Sequence, residues 1–133
     1  MPGTPSATRF DTITGWSGFD TISFTTPLTV VGNSGASSAG MASINVSNGL
    51  ATFSNSDNTL ALQLAAVEKA IAKGSNSAAV GAGDVVIWAN GANTFVLITG
   101  AHTGTTVGAH DTLIELVGVD TAHVVLANGT IVV

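Results

Sequence analysis

Cysteine and tyrosine are both absent from this chain of 133 residues, and charged residues make up only 8% of it. Without cysteine there are no disulfides, no thiol nucleophile and no thiolate-bound zinc, and a chain exported unfolded cannot form a premature disulfide. Soluble domains ordinarily carry about 25% charged residues. Here Thr, Ser, Asn, Gly and Ala stand in their place, so the surface is polar and nearly uncharged. The three Lys and Arg residues are outnumbered by eight Asp and Glu, giving a formal charge of −5. Such a chain has no basic stripe to neutralise phosphates, which excludes nucleic acid as a partner. Long apolar runs are missing too. Residues 21–56 hold no charge, yet Pro27, Gly32, Gly35, Gly40 and many hydroxyls interrupt them. No membrane span is expected, since about 18 or more consecutive apolar residues are needed. The start, Met1-Pro2-Gly3-Thr4-Pro5-Ser6, has neither the basic residues nor the apolar run of a cleaved secretory leader.

What is present is a 45% apolar content, enough for one compact core. Residues 1–9 read as a linker or a cloning scar, and residues 10–133 as a single domain. Asp11-Thr12-Ile13 recurs nine residues later as Asp20-Thr21-Ile22, which puts the two isoleucines in equivalent places. A nine-residue period with Asp and Ile is the signature of a β-roll, in which short strands alternate with Gly/Asp turns. Only a remnant of such a roll is written at this N-terminal end.

Further on, Thr29 to Gly40 reads as a small-residue loop. Ile44-Asn45-Val46 and Leu50-Ala51-Thr52-Phe53 flank Ser47-Asn48-Gly49. Asn-Gly tolerates positive φ and so predicts a hairpin there. From Asp57 the period changes. Leu60, Leu64, Val67 and Ile71 fall on one stripe and predict an amphipathic helix over about 58–73. Asn55, Ser56 and Asp57 offer its N-terminal cap, Lys69 and Lys73 suit its negative end, and Gly74 can close it.

After a connection from Gly74 to Gly83, Asp84–Trp88 and Thr94–Ile98 predict a second hairpin around Ala89–Asn93. Thr112–Val117, Ala122–Leu126 and Thr130–Val133 complete the strands, with Asn128-Gly129 as the last turn. The expected fold is mainly β, a β-rich α+β chain of antiparallel sheets or a sandwich, with one amphipathic helix covering one side.

Asp11, Ile13, Trp16, Gly18, Asp20, Ile22 and Phe24 fill a D-x-I-x-x-aromatic-x-G-x-D-x-I-x-apolar pattern. This stretch resembles the junction where the calcium-binding repeats of RTX proteins end. Asp84–Leu97 and Asp111–Val119 are similar to the C-terminal region of type I secreted bacterial surface proteins, S-layer-like proteins among them. The likeness covers residues 10–24 and about 60–133. It implies an extracellular or cell-surface bacterial protein exported without an N-terminal signal peptide, with type I secretion machinery as its partner during export. The uncleaved signal would lie in this C-terminal portion, and Asn128–Val133 is similar to the apolar ends of such signals. The likeness further implies calcium, with Asp11 and Asp20 as ligands beside the carbonyls of Thr14, Gly15 and Gly18. The alternative is that both are turn-forming aspartates. Full Gly-Gly-x-Gly-x-Asp repeats are absent, and Thr99 stands where the family often has an acidic or amide residue.

Other chemistry-bearing residues read as structural. Asp84 and Asp111 each precede an apolar strand and suit strand-initiating turns. His102, His110 and His123 lack the spacing of a zinc set. Gly81-Ala82-Gly83 lacks the third glycine and the following helix of a dinucleotide loop, and Ser34 lacks the strand-turn-helix frame of a nucleophile elbow. Trp16 and Trp88 suit either core burial or a sugar-stacking platform. The chain is therefore expected to be non-catalytic, with no active site of its own. Its alternative role is an adhesive, lattice-forming or carbohydrate-binding module that self-associates at the cell surface, and a third reading is the inert end of an enzyme whose catalytic domain lies upstream.

Overall fold

The structure, a computed structural model, describes residues 10–16, 20–23, 28–30, 41–45, 48–74, 83–100, 111–127 and 130–132. Among the described residues, ten short strands and one α-helix form a mainly β fold. The central element is a five-stranded sheet, ordered β1 (Asp11–Ile13), β8 (Thr112–Leu116), β7 (Asn93–Ile98), β6 (Asp84–Asn90) and β3 (Thr29–Val30). Its three inner strands are antiparallel, while each edge strand runs parallel to its neighbour.

The sheet is covered on both faces, which is why its inner strands read as unbroken apolar runs rather than as an alternation. Val86, Trp88, Phe95, Leu97 and Leu113 enter one apolar cluster, and α1 (Leu60–Gly74) lays Leu64, Ala66, Val67, Ala70 and Ile71 onto it. Leu60 packs against the same cluster, so the predicted helix stripe is the buried one. The hairpin of β4 (Ser43–Ile44) and β5 (Ala51–Thr52) adds Ile44 and Ala51 to this layer.

On the opposite face, Val85, Ile87, Val96, Ile98, Ile114 and Leu116 form a second cluster. It is closed by a three-stranded antiparallel sheet ordered β2 (Thr21–Ser23), β10 (Thr130–Val132) and β9 (Val125–Ala127), which contributes the fully buried Ile131. Period-2 alternation thus sends odd and even residues of β6 to different cores.

The nine-residue repeat builds two strands that part company. β1 pairs with β8, and β2 pairs with β10 in the other sheet. Both repeat isoleucines, Ile13 and Ile22, nevertheless pack against the same second cluster. Their aspartates remain at the start of each strand.

Four local expectations are corrected. Thr29 and Val30, expected at the start of a small-residue loop, form β3 and pair with Asp84 and Val85, because parallel pairing with β6 gives their main chain partners. The helix is capped by Thr59, whose hydroxyl accepts the Leu62 N–H at 3.3 Å, and not by Asn55, Ser56 or Asp57. Asp57 is buried instead, and accepts the Ser54 hydroxyl at 3.0 Å. The second hairpin is tighter than the predicted five-residue loop: β6 and β7 pair as far as Asn90 and Asn93, leaving only Gly91-Ala92 between them. Gly91 takes φ of 63°, the conformation a two-residue loop demands. Ala122 and His123, expected in a strand, lie in a 3-10 turn (Thr121–His123). The Asp120 carboxylate, an N-cap acceptor, takes the Ala122 N–H at 2.8 Å and holds that turn against the strand propensity that begins at Val125.

Candidate functional site

Each of the six aspartates stands at or just ahead of the start of an element. Asp11 opens β1, Asp20 precedes β2, Asp57 lies three residues before α1, Asp84 opens β6, Asp111 precedes β8 and Asp120 caps the 3-10 turn. Short acceptor side chains can serve backbone N–H groups that have no partner where an element begins, and Asp120 does so by accepting the Ala122 N–H, whereas Asp57 accepts the Ser54 hydroxyl and Asp111 the Gly100 N–H. Asp11 is exposed and Asp20 half-buried. The strands that these two candidate calcium ligands open or precede, β1 and β2, lie in different sheets and do not pair with each other.

One end of the central sheet holds a buried polar set. Asp84 and Asp111 are 7% and 4% exposed, flanking Thr99 at 5%. The Thr99 hydroxyl accepts the Asp84 N–H at 3.1 Å, and the Thr99 N–H donates to the Asp84 carbonyl at 2.9 Å. The Gly100 N–H donates to Asp111 Oδ1 at 2.7 Å. The Gly83 N–H also donates to the Thr99 carbonyl at 2.7 Å, so Thr99 extends the β6–β7 pairing beyond Ile98 with two main-chain bonds as well as its hydroxyl. The loop expected between residues 99 and 111, with His102 and His110, lies outside the described residues apart from its ends. So do Ser34, Gly81-Ala82, Gly18, Phe24 and Asn128-Gly129.

The opposite end carries a second polar network, which the sequence reading missed. Asn93 Nδ2 donates to Glu115 Oε1 at 2.6 Å, while Asn93 Oδ1 accepts the Gly118 N–H at 2.9 Å. The buried Thr94 hydroxyl donates to the Val119 carbonyl at 2.6 Å. Asn90 Nδ2 donates to Gln63 Oε1 at 2.8 Å, tying the end of β6 to α1. Turn chemistry accounts for an amide closing the Gly-Ala turn, but its partners Glu115 and Gly118 are set by the register of β7 with β8. Beside this network, Ala89, Ala92, Asn93, Val119 and Asp120 line a half-open cleft of about 120 Å³. Pockets for organic ligands run to roughly 300–1,000 Å³, so the cleft suits water or one small polar group.

Trp88 is fully buried, stacked on Phe95 at 5.9 Å and meeting Phe53 edge-on at 6.3 Å. It is a core residue, not a sugar platform. Trp16 is half-buried against the second cluster. His123 is exposed on its 3-10 turn. Among the described residues no three His, Asp or Glu side chains come together, and no described helix is long and apolar enough to cross a membrane. No family model matches the sequence, and no curated protein matches it. The resemblance to RTX-like proteins therefore stands on the quoted residues alone.

Proposed function

We propose that this chain is a non-catalytic, β-rich structural module of an exported bacterial protein, carrying the type I secretion signal in its C-terminal portion and folding outside the cell. One observation carries the reading. The segment similar to the end of such signals becomes β10, the middle strand of the smaller sheet, with Ile131 fully buried. An export machine can read those residues only in an unfolded chain. A signal that disappears into a core strand on folding suits a chain that folds after transport.

The Asp-Thr-Ile repeat supports the same reading. Each copy places its aspartate at a strand start and its isoleucine in a shared core. Calcium at Asp11 and Asp20, with the carbonyls of Thr14, Gly15 and Gly18, would bind the native state and stabilise it by mass action. That part of the reading rests on the resemblance.

The test is a reporter fused ahead of residues 10–133 in bacteria that carry type I exporters. The reporter should accumulate in the medium, and removing residues 128–133 should hold it inside the cell. Retention of the full fusion with every exporter would overturn the export reading. A melting temperature unchanged by millimolar calcium and by chelator would remove calcium from it.

A further inference from the structure

Asn-Gly dipeptides occur at residues 48–49, 90–91 and 128–129, and the first two lie among the described residues. The pair is open to attack on itself, because glycine has no Cβ to shield its nitrogen from the preceding side chain. In that reaction the glycine main-chain nitrogen bonds to the asparagine Cγ and the Cγ–Nδ2 bond breaks. Ammonia leaves, carrying the proton of the glycine N–H, and a five-membered succinimide remains. Water then opens the ring at either carbonyl, giving aspartate or isoaspartate. Water is the one reactant from outside the chain.

The fold treats the two described pairs differently. Gly49 is buried, and its N–H, the group that must react, donates to the Asn45 carbonyl at 2.9 Å. A Cβ at Gly49 would lie 3.2 Å from the Val85 carbonyl oxygen, so this residue has little room to move. Ring closure at Asn48 would remove a donor from a main-chain hydrogen bond and shift a close-packed turn. Gly91 is exposed instead, and a Cβ there would meet nothing within 4 Å. It is the first residue of a two-residue loop, and its N–H has no partner among the described residues. The restraint at this pair lies on the other reactant. Asn90 Nδ2, the leaving nitrogen, donates to Gln63 Oε1 at 2.8 Å and is held toward α1.

We propose that Asn90-Gly91 is a self-modification site of the folded chain, converting to aspartate and isoaspartate with release of ammonia, and that the Gln63 side chain restrains it. Asn48-Gly49 reacts only when the chain unfolds. Conversion at residue 90 removes the amide donor that ties β6 to α1, and the isoaspartate form adds a main-chain carbon just ahead of the hairpin loop. This proposal is independent of the export reading, which an unreactive Asn90 would leave untouched.

The experiment is peptide mapping by mass spectrometry on the full chain stored folded in mildly alkaline buffer, with aspartate and isoaspartate measured at residues 48 and 90 over time. Product at residue 90 should form at least about tenfold faster than at residue 48. The same chain held unfolded in denaturant should bring the two rates within a few fold of each other, because the dipeptide is then all that they share. Gln63→Ala removes the acceptor of Asn90 Nδ2 and should speed conversion at residue 90 several-fold without changing residue 48. Gln63→Glu keeps an acceptor oxygen and should hold the wild-type rate, which separates the hydrogen bond from a general loosening of α1. No product at residue 90 in the folded chain, or conversion at residue 48 as fast or faster, would overturn the proposal. A Gln63→Ala rate equal to wild type would overturn the role of Gln63.

Discussion

The Gly49 carbonyl accepts the Ile87 N–H at 2.9 Å, joining the turn of the first hairpin to the edge of β6 beyond the end of β3. Gly49 holds φ of 73°, and a Cβ there would sit 3.2 Å from the Val85 carbonyl oxygen and 3.3 Å from Leu126 Cδ1. Two independent demands, handedness and close approach, meet at this residue. Gly49→Ala should cost about 2–3 kcal/mol, combining left-handed strain with a backbone clash. Gly118 has the same φ of 73° with nothing within 4 Å, so Gly118→Ala should cost only about 1 kcal/mol. Chemical denaturation of both variants checks the ordering; equal losses would show that the contact with β6 is slack.

Trp88 is fully buried, and its indole N–H has no hydrogen-bond partner among the described residues. A buried unpaired donor costs about 1–3 kcal/mol, so replacing it by an apolar ring returns part of what the lost volume removes. Trp88→Phe is expected to stay within about 1.5 kcal/mol of wild type. Trp88→Ala should lose about 3–5 kcal/mol. Melting curves of the pair decide whether the ring or its N–H matters.

Along α1, Leu64 is 5% exposed and Leu62 is 45% exposed. Leu64→Ala should therefore destabilise by about 2–5 kcal/mol, whereas Leu62→Ala should fall within about 0.5 kcal/mol of wild type. Urea unfolding midpoints measure both. A large effect at Leu62 would mean that this face is covered.

Thr94 is fully buried and donates to the Val119 carbonyl. Thr94→Val keeps the shape but strands that carbonyl, and should cost about 1–3 kcal/mol. A neutral result by calorimetry would show that Val119 finds another donor.

The elements legible beforehand were those with a strong local signal. Four apolar residues at helical spacing have one way to share a face, and Leu60, Leu64, Val67 and Ile71 take it. Asn48-Gly49 and the β6–β7 pair were equally readable, because a left-handed glycine between apolar runs has few other uses. The errors lie at boundaries, where several hydroxyls and amides compete. Thr59 wins the helix cap from three earlier candidates because its hydroxyl is the one within reach of the first turn. Asp120 turns Ala122 and His123 away from the strand that their neighbours favour. The Asn93–Glu115–Gly118 network was not readable, since its members are 22 and 25 residues apart and meet only through the register of β7 with β8.

The amino-acid sequence by itself determined the class of fold, the single helix with its buried stripe, and the aspartates at the element starts, because periodicity, turn chemistry and capping act over a few neighbours. Only the tertiary structure decided the partners. Asp11-Thr12-Ile13 found β8, and Thr21-Ile22 found β10 in the other sheet, rather than stacking on each other. Strand pairing is settled by which distant edge can bury an isoleucine while satisfying its main chain, and no local pattern encodes that choice.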